Sequence, residues 1–365
     1  MPDTNHTIAI VVGARPHFIK CAPLIEKLNQ FHDIDIQLIH TGQHYDYALS
    51  GAFFEELSLP KPNFHLNVGS AAQDQQIAQI LLKLSDVWRE INPQLVIVIG
   101  DTNTTAAAAL SASIHKIPIA HLEAGLREWN KQIPEEINKI VTDSLTDLYL
   151  CPTPSAVNNL KNQGITKQVY LTGEITLDLL VKHHIDPNKL SDLLSEYGFS
   201  PKGYYFMTLH RASNTDSKEA FYEIIQAIKE LKEPVIWPMH PRTSKAAKEY
   251  NLMEDLVAIK HLKLIEPLPF HPTQLLISAA KMVITDSGGI IREAYHHHVR
   301  TLIIDKQTEW IEIVNEGWAI ITGPDKDLIS YNIANFTIPI RHSNVLGDGE
   351  SADRIAKIIY EFISK

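Results

Sequence analysis

Residues 95–104 read Leu-Val-Ile-Val-Ile-Gly-Asp-Thr-Asn-Thr. The first five are aliphatic, and such a continuous run is typical of a strand buried on both faces of a parallel sheet. A glycine and polar residues follow at once, and the residues just after a parallel strand line the ligand crevice of a doubly wound sheet. This stretch therefore predicts an α/β fold with a binding site at the carboxyl ends of its strands.

The same alternation of short apolar runs and longer helical patterns extends over the rest of the chain. The first half predicts strands at 8–12, 35–39, 95–99, 117–121, 148–151 and 169–172, with helices such as 20–30, 75–90 and 104–115 between them. The pattern restarts in the second half, with strands at 204–209, 235–239, 262–265, 282–285, 301–304 and 319–322. Each half therefore predicts a Rossmann-like, doubly wound parallel sheet.

A polar stretch without strands, at 176–201, separates the two halves. We expect an N-terminal domain at 1–175, a C-terminal domain at 176–350, and an amphipathic helix at 351–365 that packs back towards the N-terminal domain. Two such domains offer one obvious place for a ligand, the cleft where the carboxyl ends of both sheets face each other.

The composition fits a globular protein and excludes several classes of function. The 365 residues include 33 Lys and Arg against 43 Asp and Glu, a net charge of −10, which argues against a general nucleic-acid binder. Cys21 and Cys151 lie beside apolar residues and predict buried free thiols. Neither a signal peptide nor an apolar run of about 20 residues is recognisable, so we expect a cytoplasmic protein without membrane contact.

The first predicted strand is followed by Gly13-Ala-Arg-Pro-His-Phe-Ile-Lys20, in which Pro16 fits the first turn of a helix. A helix N-terminus favours an anion, and Arg15 and Lys20 add positive charge to it. The alternative is an ordinary capped helix with solvated basic residues. Neither a dinucleotide-binding glycine fingerprint nor a phosphate-binding Walker loop is present.

Acidic residues occur at three further places in the first half, after two predicted strands and at the start of a predicted helix. Asp101 comes after the strand at 95–99 and is either an acid–base group or a helix N-cap. Glu123 comes just after the strand at 117–121 in an apolar setting, where burial makes a carboxylate a usable acid or base. Glu135 and Glu136 open the next helix, either for chemistry or to complement its dipole. Three such sites are more than packing needs.

The second half supplies groups suited to a phosphate. His210 and His240 each end a predicted strand, and Ser287-Gly-Gly289 opens a helix whose N–H groups can bind a diphosphate. Glu293, on the same helix, is placed to accept the hydroxyls of a ribose. Together these residues predict a nucleoside diphosphate held mainly by the second half, with acid–base chemistry supplied by the first.

A run of three histidines, His296–His298, does not predict a metal site. Consecutive helical residues point roughly 100° apart, so the three side chains cannot close on one ion. Cysteine and histidine motifs for zinc are also missing from the sequence. We therefore expect neither a metal nor another cofactor.

These segments together resemble the non-hydrolysing UDP-N-acetylglucosamine 2-epimerase family, from about residue 7 to the C-terminus. The motifs that carry the resemblance are Gly13-Ala-Arg-Pro with Lys20, Thr41-Gly-Gln-His44, Gly100-Asp-Thr-Asn-Thr104, His121-Leu-Glu-Ala-Gly-Leu-Arg127, Pro134-Glu-Glu-Ile-Asn138, His210-Arg211, His240-Pro241, Thr285-Asp-Ser-Gly-Gly289 with Glu293, and Gly347-Asp-Gly349. Four further positions or segments look closer to one branch of this family, the branch acting on UDP-2,3-diacetamido-2,3-dideoxyglucuronate. They are Phe18, Thr208-Leu209, Arg242-Thr243 and Gln307-Thr-Glu-Trp310.

The resemblance implies a GT-B fold, a homodimer and inversion at C2 of a UDP-sugar, by elimination of UDP through a glycal and its re-addition. It implies Asp101, Glu123 and Glu135 as acid–base groups and His210 as the group that stabilises the departing diphosphate. The residues implied to bind the substrate are Arg15, Lys20, Arg127, Ser287, Gly288, Gly289 and Glu293. Some members bind a second UDP-sugar as an activator, and the residues matching that site are Gln43, His44, Arg211 and His240.

Several positions depart from the family pattern, which leaves the C3 and C6 substituents of the sugar open. They are Lys139 for an Arg, Ser213 for a Glu, Ile291-Arg292 for Gln-Glu, Asp305-Lys306 for Arg-Asp, and Arg300 for a Pro. Three alternative functions also stay open: a hydrolysing 2-epimerase, a GT-B glycosyltransferase and a UDP-sugar sensor without activity.

Overall fold

The structure is a computed structural model that describes residues 6–42, 57, 59–182 and 184–365, with the side chain of Arg15 left out. The chain forms two compact units. Unit 1 comprises residues 1–182 and 346–365, and unit 2 comprises residues 183–345.

Unit 1 is built on a parallel sheet that, in its described part, has seven strands in the order β3-β2-β1-β4-β5-β6-β7. The strands are β1 (His6–Val12), β2 (Ile34–His40), β3 (Phe64–His65), β4 (Leu95–Ile99), β5 (Ile119–Leu122), β6 (Leu148–Cys151) and β7 (Val169–Leu171). The order reverses between β1 and β4, and α/β sheets bind ligands at such a switch point. The loops after these two strands are therefore the first place to look for a site.

Helices cover both faces of this sheet, as expected for parallel strands that are buried on both sides. They are α1 (Arg15–Leu28), α2 (Gln73–Ile91), α3 (Asn103–Ile114), α4 (Pro134–Leu145), α5 (Pro154–Asn162) and α6 (Thr176–Lys182). All five residues of β4 are fully buried, and Ala107, Ala108 and Ala109 of α3 are fully buried as well. Small side chains on α3 let this helix pack closely on its neighbours, which brings its N-terminus to the switch point.

Unit 2 repeats the plan with a parallel sheet whose described strands number six, in the order β10-β9-β8-β11-β12-β13. These are β8 (Tyr205–Thr208), β9 (Val235–Pro238), β10 (Leu262–Ile265), β11 (Met282–Thr285), β12 (Thr301–Ile303) and β13 (Ala319–Ile321). Its helices are α7 (Pro187–Tyr197), α8 (Ala212–Thr215), α9 (Lys218–Lys229), α10 (Pro241–Glu249), α11 (Met253–Val257), α12 (Phe270–Ala279), α13 (Gly288–His296), α14 (Ile311–Asn315) and α15 (Lys326–Asn335). Here the switch point lies between β8 and β11.

Helix α16 (Ser351–Ile363) follows unit 2 in the chain but is part of unit 1. The buried Asp178 accepts the N–H groups of Ser351 and Ala352 at 3.0 and 2.6 Å and so satisfies the start of the helix. Near its other end, the Tyr360 ring stacks on Phe31 with centroids 4.4 Å apart. Unit 1 is therefore completed by residues that come after all of unit 2.

The predicted fold class, two doubly wound parallel sheets, is confirmed. Cys21 and Cys151 are buried and free, as predicted, and burial raises the pKa of both thiols. Within the described ranges, every helix is too short or too polar to cross a membrane.

Candidate active site

The turn after β1 packs so closely against its neighbours that only glycine fits at position 13. A Cβ atom there would collide with the hydroxyls of Thr41 and Thr104, which lie 2.8 Å from each other. The Gly13 N–H donates to His17 Nδ1 at 3.1 Å, which fixes the first turn of α1. Lys20 follows one turn later and is thus held on a rigid support.

Lys20 and Glu123 form a buried ion pair in which each residue is only 6% exposed. Lys20 Nζ donates to Glu123 Oε2. Both groups lie beside Gly100, because a Cβ on that residue would be 3.4 Å from Glu123 Oε2 and 3.6 Å from Lys20 Nζ. Two charges buried this deeply are retained only when they are well paired, since each has lost its hydration. The structure thus brings two predicted site residues together.

The backbone of Glu123 is in the left-handed region, with φ 72°. Residues other than glycine rarely adopt this conformation, which costs about 1 kcal/mol or more. The Glu123 N–H donates to the carbonyl of Leu150 on β6 at 3.1 Å, so the neighbouring strand enforces the conformation. Strain of this kind clusters at functional sites.

Asp101 follows Gly100 directly and is half-buried. The N-cap of α3 is Thr102, whose N–H donates to Thr105 Oγ1 at 3.2 Å, so the alternative prediction of Asp101 as an N-cap is wrong. The carbonyl of Asp101 accepts a hydrogen bond from Asn138 Nδ2 at 3.0 Å. Asn138 belongs to α4, and this bond ties the Asp101 turn to the helix whose first turn carries Glu135.

Glu135 and Glu136, adjacent in sequence, have opposite environments on α4. Glu135 is exposed on the first turn, whereas Glu136 is fully buried. Glu136 accepts the N–H groups of Glu128 and Trp129 at 2.8 and 3.1 Å and pairs with Lys139 at 3.3 Å. Glu136 therefore holds a loop in place, and Glu135 keeps its carboxylate towards solvent. Lys139, which stands where the family pattern has an Arg, is the cation paired with the buried Glu136 carboxylate.

A second buried carboxylate on α4, Asp143, organises the loop after β5. Its oxygens lie 2.6 Å from both His121 Nδ1 and Arg127 Nη2, and one of them accepts the Gly125 N–H at 3.0 Å. Burial alone would raise the pKa of Asp143, but the charge and hydrogen bond of His121, and then those of Arg127, outweigh it and lower the pKa. Arg127 is only 4% exposed, and its contact with a substrate stays a prediction.

Three of the predicted residues lie outside what the structure describes. They are the side chain of Arg15 and the whole of Gln43 and His44. Arg15 is nevertheless the first residue of α1 by its backbone.

In unit 2, a single buried carboxylate, Asp286, holds the end of β8. It accepts the N–H groups of His210 and Arg211 at 3.0 and 2.8 Å and the side-chain amide of Asn214 at 3.2 Å. His210 Nδ1 lies 3.5 Å from Asp286, while the His210 side chain remains 37% exposed. The ring of His240 lies 5.2 Å from that of His210, centroid to centroid. The switch point of unit 2 thus presents a partly exposed imidazole on a fixed backbone.

The predicted diphosphate loop starts helix α13. Ser287 is its N-cap, and its side chain accepts the Ile290 N–H at 3.5 Å. A Cβ on Gly288 would come within 2.9 Å of Trp310 Nε1, so glycine is required by this close approach. The first N–H groups of a helix have no acceptor inside it and can bind an anion. Glu293, 7% exposed, follows one turn later on the same helix.

The two predicted activator residues of unit 2 have contacts of their own. Arg211 Nη1 pairs with Asp305 at 3.2 Å, and Ser213 Oγ donates to the same carboxylate at 3.3 Å. His240 is the N-cap of α10, and its Nδ1 accepts the Arg242 N–H at 3.1 Å. Ser213 and Asp305, two departures from the family pattern, therefore contact each other.

The fold and these loops together define the class of protein. Two doubly wound parallel sheets, each with polar loops at its switch point, are typical of the GT-B class of nucleotide-sugar enzymes.

The chain belongs to the UDP-N-acetylglucosamine 2-epimerase family, whose model matches residues 26–360. It is 40% identical over 355 residues to a UDP-N-acetylglucosamine 2-epimerase homolog of Methanococcus maripaludis, covering 96% of this chain and 99% of that protein. It is 34% identical over 363 residues to the UDP-2,3-diacetamido-2,3-dideoxy-D-glucuronate 2-epimerase of Pseudomonas aeruginosa, covering 96% and 99%. A solved structure of the Methanocaldococcus jannaschii UDP-GlcNAc 2-epimerase, in complex with UDP-GlcNAc and UDP, matches with a TM-score of 0.91 at 34% identity, covering 97% and 99%.

These findings confirm the predicted family, the GT-B fold and the predicted class of enzyme, a carbohydrate epimerase. The roles of the individual site residues stay predictions. Sequence reasoning left Glu136 open between chemistry and complementing the helix dipole, and it gave no role to Asp143 or His121. The signal that could have found the first two is helical spacing, which puts residues 136, 139 and 143 on one face of α4.

Proposed function

We propose that the protein is a non-hydrolysing 2-epimerase of UDP-2-acetamido sugars. The observation that carries the proposal is the buried Lys20–Glu123 pair beside the Gly100–Asp101 turn, which a hydrogen bond joins to the helix bearing Glu135. The relatives named above support a UDP-sugar as the substrate.

The reaction needs a base and an acid at C2 of the sugar. The C2 hydrogen is weakly acidic, so a base must stand within hydrogen-bond reach of it. As the base takes this proton, the bond from C1 to the diphosphate oxygen breaks, giving a C1–C2 double bond in a glycal and free UDP. A proton is then delivered to the opposite face of C2, and the diphosphate oxygen bonds to C1 again. Asp101, Glu123 and Glu135 are the groups proposed for these transfers.

Unit 2 is proposed to hold the UDP part. The N–H groups at the start of α13, at Ser287, Gly288 and Gly289, suit a diphosphate because the helix dipole adds positive potential there. Glu293 is proposed to accept the ribose hydroxyls. His210 is proposed to donate to the departing diphosphate, whose growing charge must meet a donor that is already in position.

Deuterium exchange combined with NMR of the products tests this proposal. The enzyme is incubated in D₂O with UDP-N-acetylglucosamine and, in parallel, with the diacetamido glucuronate analogue. Deuterium at C2 of recovered UDP-sugar, together with the manno epimer, is the expected result. Accumulation of the epimer with C2 fully protonated would contradict the elimination mechanism.

The same spectra separate the alternative functions. A hydrolysing enzyme releases free N-acetylmannosamine and UDP, and a glycosyltransferase releases UDP only when an acceptor is added. A UDP-sugar sensor binds UDP in calorimetry and turns over neither donor. The comparison of the two donors identifies which C3 and C6 substituents the site accepts.

We also propose a cytoplasmic homodimer that binds a second UDP-sugar as an activator through Arg211 and His240. Light scattering checks the dimer. Initial rates that rise sigmoidally with UDP-N-acetylglucosamine, and become hyperbolic in an Arg211→Ala variant, are expected if the activator site operates.

A further inference from the structure

The ring of His121 lies between two hydrogen-bond acceptors inside unit 1. His121 is fully buried on β5, with Nδ1 2.6 Å from Asp143 Oδ1 and Nε2 2.7 Å from the carbonyl oxygen of Gly100. A carbonyl oxygen has no proton to give, so Nε2 must be the donor to Gly100. The carboxylate of Asp143 is ionised because it also accepts from Arg127 and from the Gly125 N–H. Nδ1 must therefore carry a proton as well.

We propose that His121 is held as an imidazolium cation and acts as the positioning residue of the active site. The inference rests on the proposed function, since it concerns the same carboxylates. His121 lies two residues before Glu123 and donates to the residue before Asp101. Through Asp143 it is bound to α4, the helix whose first turn carries Glu135. One side chain thus connects the three segments that bear the proposed acid–base groups.

The cluster also has a net charge. His121 and Arg127 are two cations facing the single anion Asp143, which leaves one positive charge buried under the loop after β5. A Cβ on Gly100 would be 3.4 Å from Glu123 Oε2, and His121 Nε2 lies 2.7 Å from the Gly100 carbonyl oxygen, so the imidazole and the carboxylate flank the same residue. In a medium of low dielectric constant, a buried net positive charge stabilises a carboxylate in its neighbourhood.

Titratable groups on the neighbouring elements leave this charge in place. Asp147, just before β6, is a further anion near Tyr149, but it is exposed, so solvent screens its charge. Lys20 on α1 is already paired with Glu123. Tyr149 on β6 donates its hydroxyl to the Asp143 carbonyl at 2.9 Å, and burial and then Asp143 raise its pKa to about 12. Burial and then Asp143 also raise the pKa of the Cys151 thiol. Both side chains on β6 are therefore neutral at physiological pH.

The protonation state is tested by NMR on the whole protein with ¹⁵N-labelled histidine. At neutral pH, the expected spectrum has one histidine whose two ring nitrogens both bear slowly exchanging protons. This signal is assigned by its loss in a His121→Asn variant. An unprotonated nitrogen on His121 would overturn the proposal, and this readout needs no enzyme activity.

The positioning role is tested by two variants that break the same connection but change the charge differently. His121→Asn removes the cation, whereas Asp143→Asn removes the anion. Both are expected to lower kcat by about tenfold or more while KM changes little. The acid limb of the rate profile is expected to move to higher pH in His121→Asn, which removes a cation, and not in Asp143→Asn. A merely structural loss would move both profiles alike.

Controls separate this inference from the proposed function. If wild-type protein shows no exchange at C2 in D₂O, the proposed function fails and the NMR result still decides the state of His121. If wild type exchanges and both variants keep its kcat and pH profile, the positioning role is wrong. Thermal unfolding and UDP calorimetry check the fold of each variant, and His121→Gln replaces His121→Asn if the latter does not fold.

Discussion

The two units hold their polar groups in different ways at equivalent points of the same fold. Unit 1 buries charged side chains against each other, as in the Lys20–Glu123 pair and in the contacts of Asp143. Unit 2 binds backbone N–H groups with the buried carboxylate of Asp286 at the end of β8 and leaves His210 partly exposed. Fixed, desolvated charges suit proton transfer, whereas oriented N–H groups and an exposed imidazole suit an anion. The difference predicts that changes in unit 1 affect chemistry and changes in unit 2 affect binding.

The largest expected effect comes from Glu123→Gln in unit 1. Glutamine keeps an oxygen for Lys20 but cannot exchange a proton, so deuterium incorporation at C2 is expected to fall by about a thousandfold. UDP binding, measured by calorimetry, should stay within about threefold because it depends on unit 2. The matched control is Glu26→Gln, which removes an exposed pair with Lys182 on the same unit. A rate near that of wild type would remove Glu123 from the chemistry.

Acid is expected to destabilise unit 1 through a buried histidine. Burial, and then the neighbouring His65, lower the pKa of His40 from 6.5 to about 4. As pH falls, His40 is protonated in the unfolded chain before it is protonated in the folded one. The contribution of neutral His40 to the free energy of unfolding is therefore complete above about pH 6.5 and is lost as pH falls towards 4. This loss amounts to up to about 3 kcal/mol. Hydrogen exchange between these pH values should show β2 and β3 opening before unit 2. The rings of His40 and Phe18 lie 5.4 Å apart, centroid to centroid, so His40→Phe keeps an aromatic ring there and should lose most of this pH dependence.

Asp286→Asn should weaken unit 2 with little effect on unit 1. The amide replaces one acceptor oxygen with a donor that faces N–H groups, at a cost of about 2 kcal/mol. Because His210 and Arg211 then lose their fixed positions, UDP affinity in calorimetry should fall by about tenfold or more. Asp255→Asn, at an exposed pair with Lys229, is the control on the same unit. Unchanged UDP affinity would contradict the assignment of binding to unit 2.

The smallest effect is expected from Asp348→Asn, at a half-exposed pair that holds α16. A hydrogen bond from Arg354, helped by the Glu350 N–H, lowers the pKa of Asp348 to about 2. Solvent screens such a pair, so its loss should cost only about 0.5 kcal/mol in urea unfolding at neutral pH. The ionised form is favoured in the folded state, so the difference from wild type should vanish as pH falls from about 4 to 2. A cost several times larger would place this pair among the structural contacts of unit 1.

The strands were the part of the fold most open to prediction. Leu95–Ile99 and Met282–Thr285 have the predicted bounds, because a strand buried on both faces is a continuous apolar run. The two-residue edge strand Phe64–His65 was missed, since it has no room for a pattern and follows two prolines. The strand predicted at 117–121 begins later, at Ile119, because Pro118 lacks the N–H that a central strand needs.

The sequence was enough to predict which loops carry the site, but not which side chains contact each other within it. Strand ends identify Glu123 in unit 1 and His210 in unit 2, because within each parallel sheet the topology brings such positions to the carboxyl edge of that sheet. Which of two adjacent carboxylates is buried depends on the helix face, and Glu136 rather than Glu135 lies on the packed face of α4. Ser213 and Asp305 are far apart in the chain, and no pattern in a single sequence indicates that they are in contact.

The placement of α16 has a consequence for how the molecule is made. Asp178 and Phe31 contact residues of α16, and the ribosome synthesises α16 only after the whole of unit 2. Unit 2 is continuous in sequence and can fold as soon as it emerges, whereas the earlier unit stays incomplete until the chain returns to it. We therefore expect unit 1 to complete its folding after unit 2, the reverse of the usual order in which the N-terminal domain folds first.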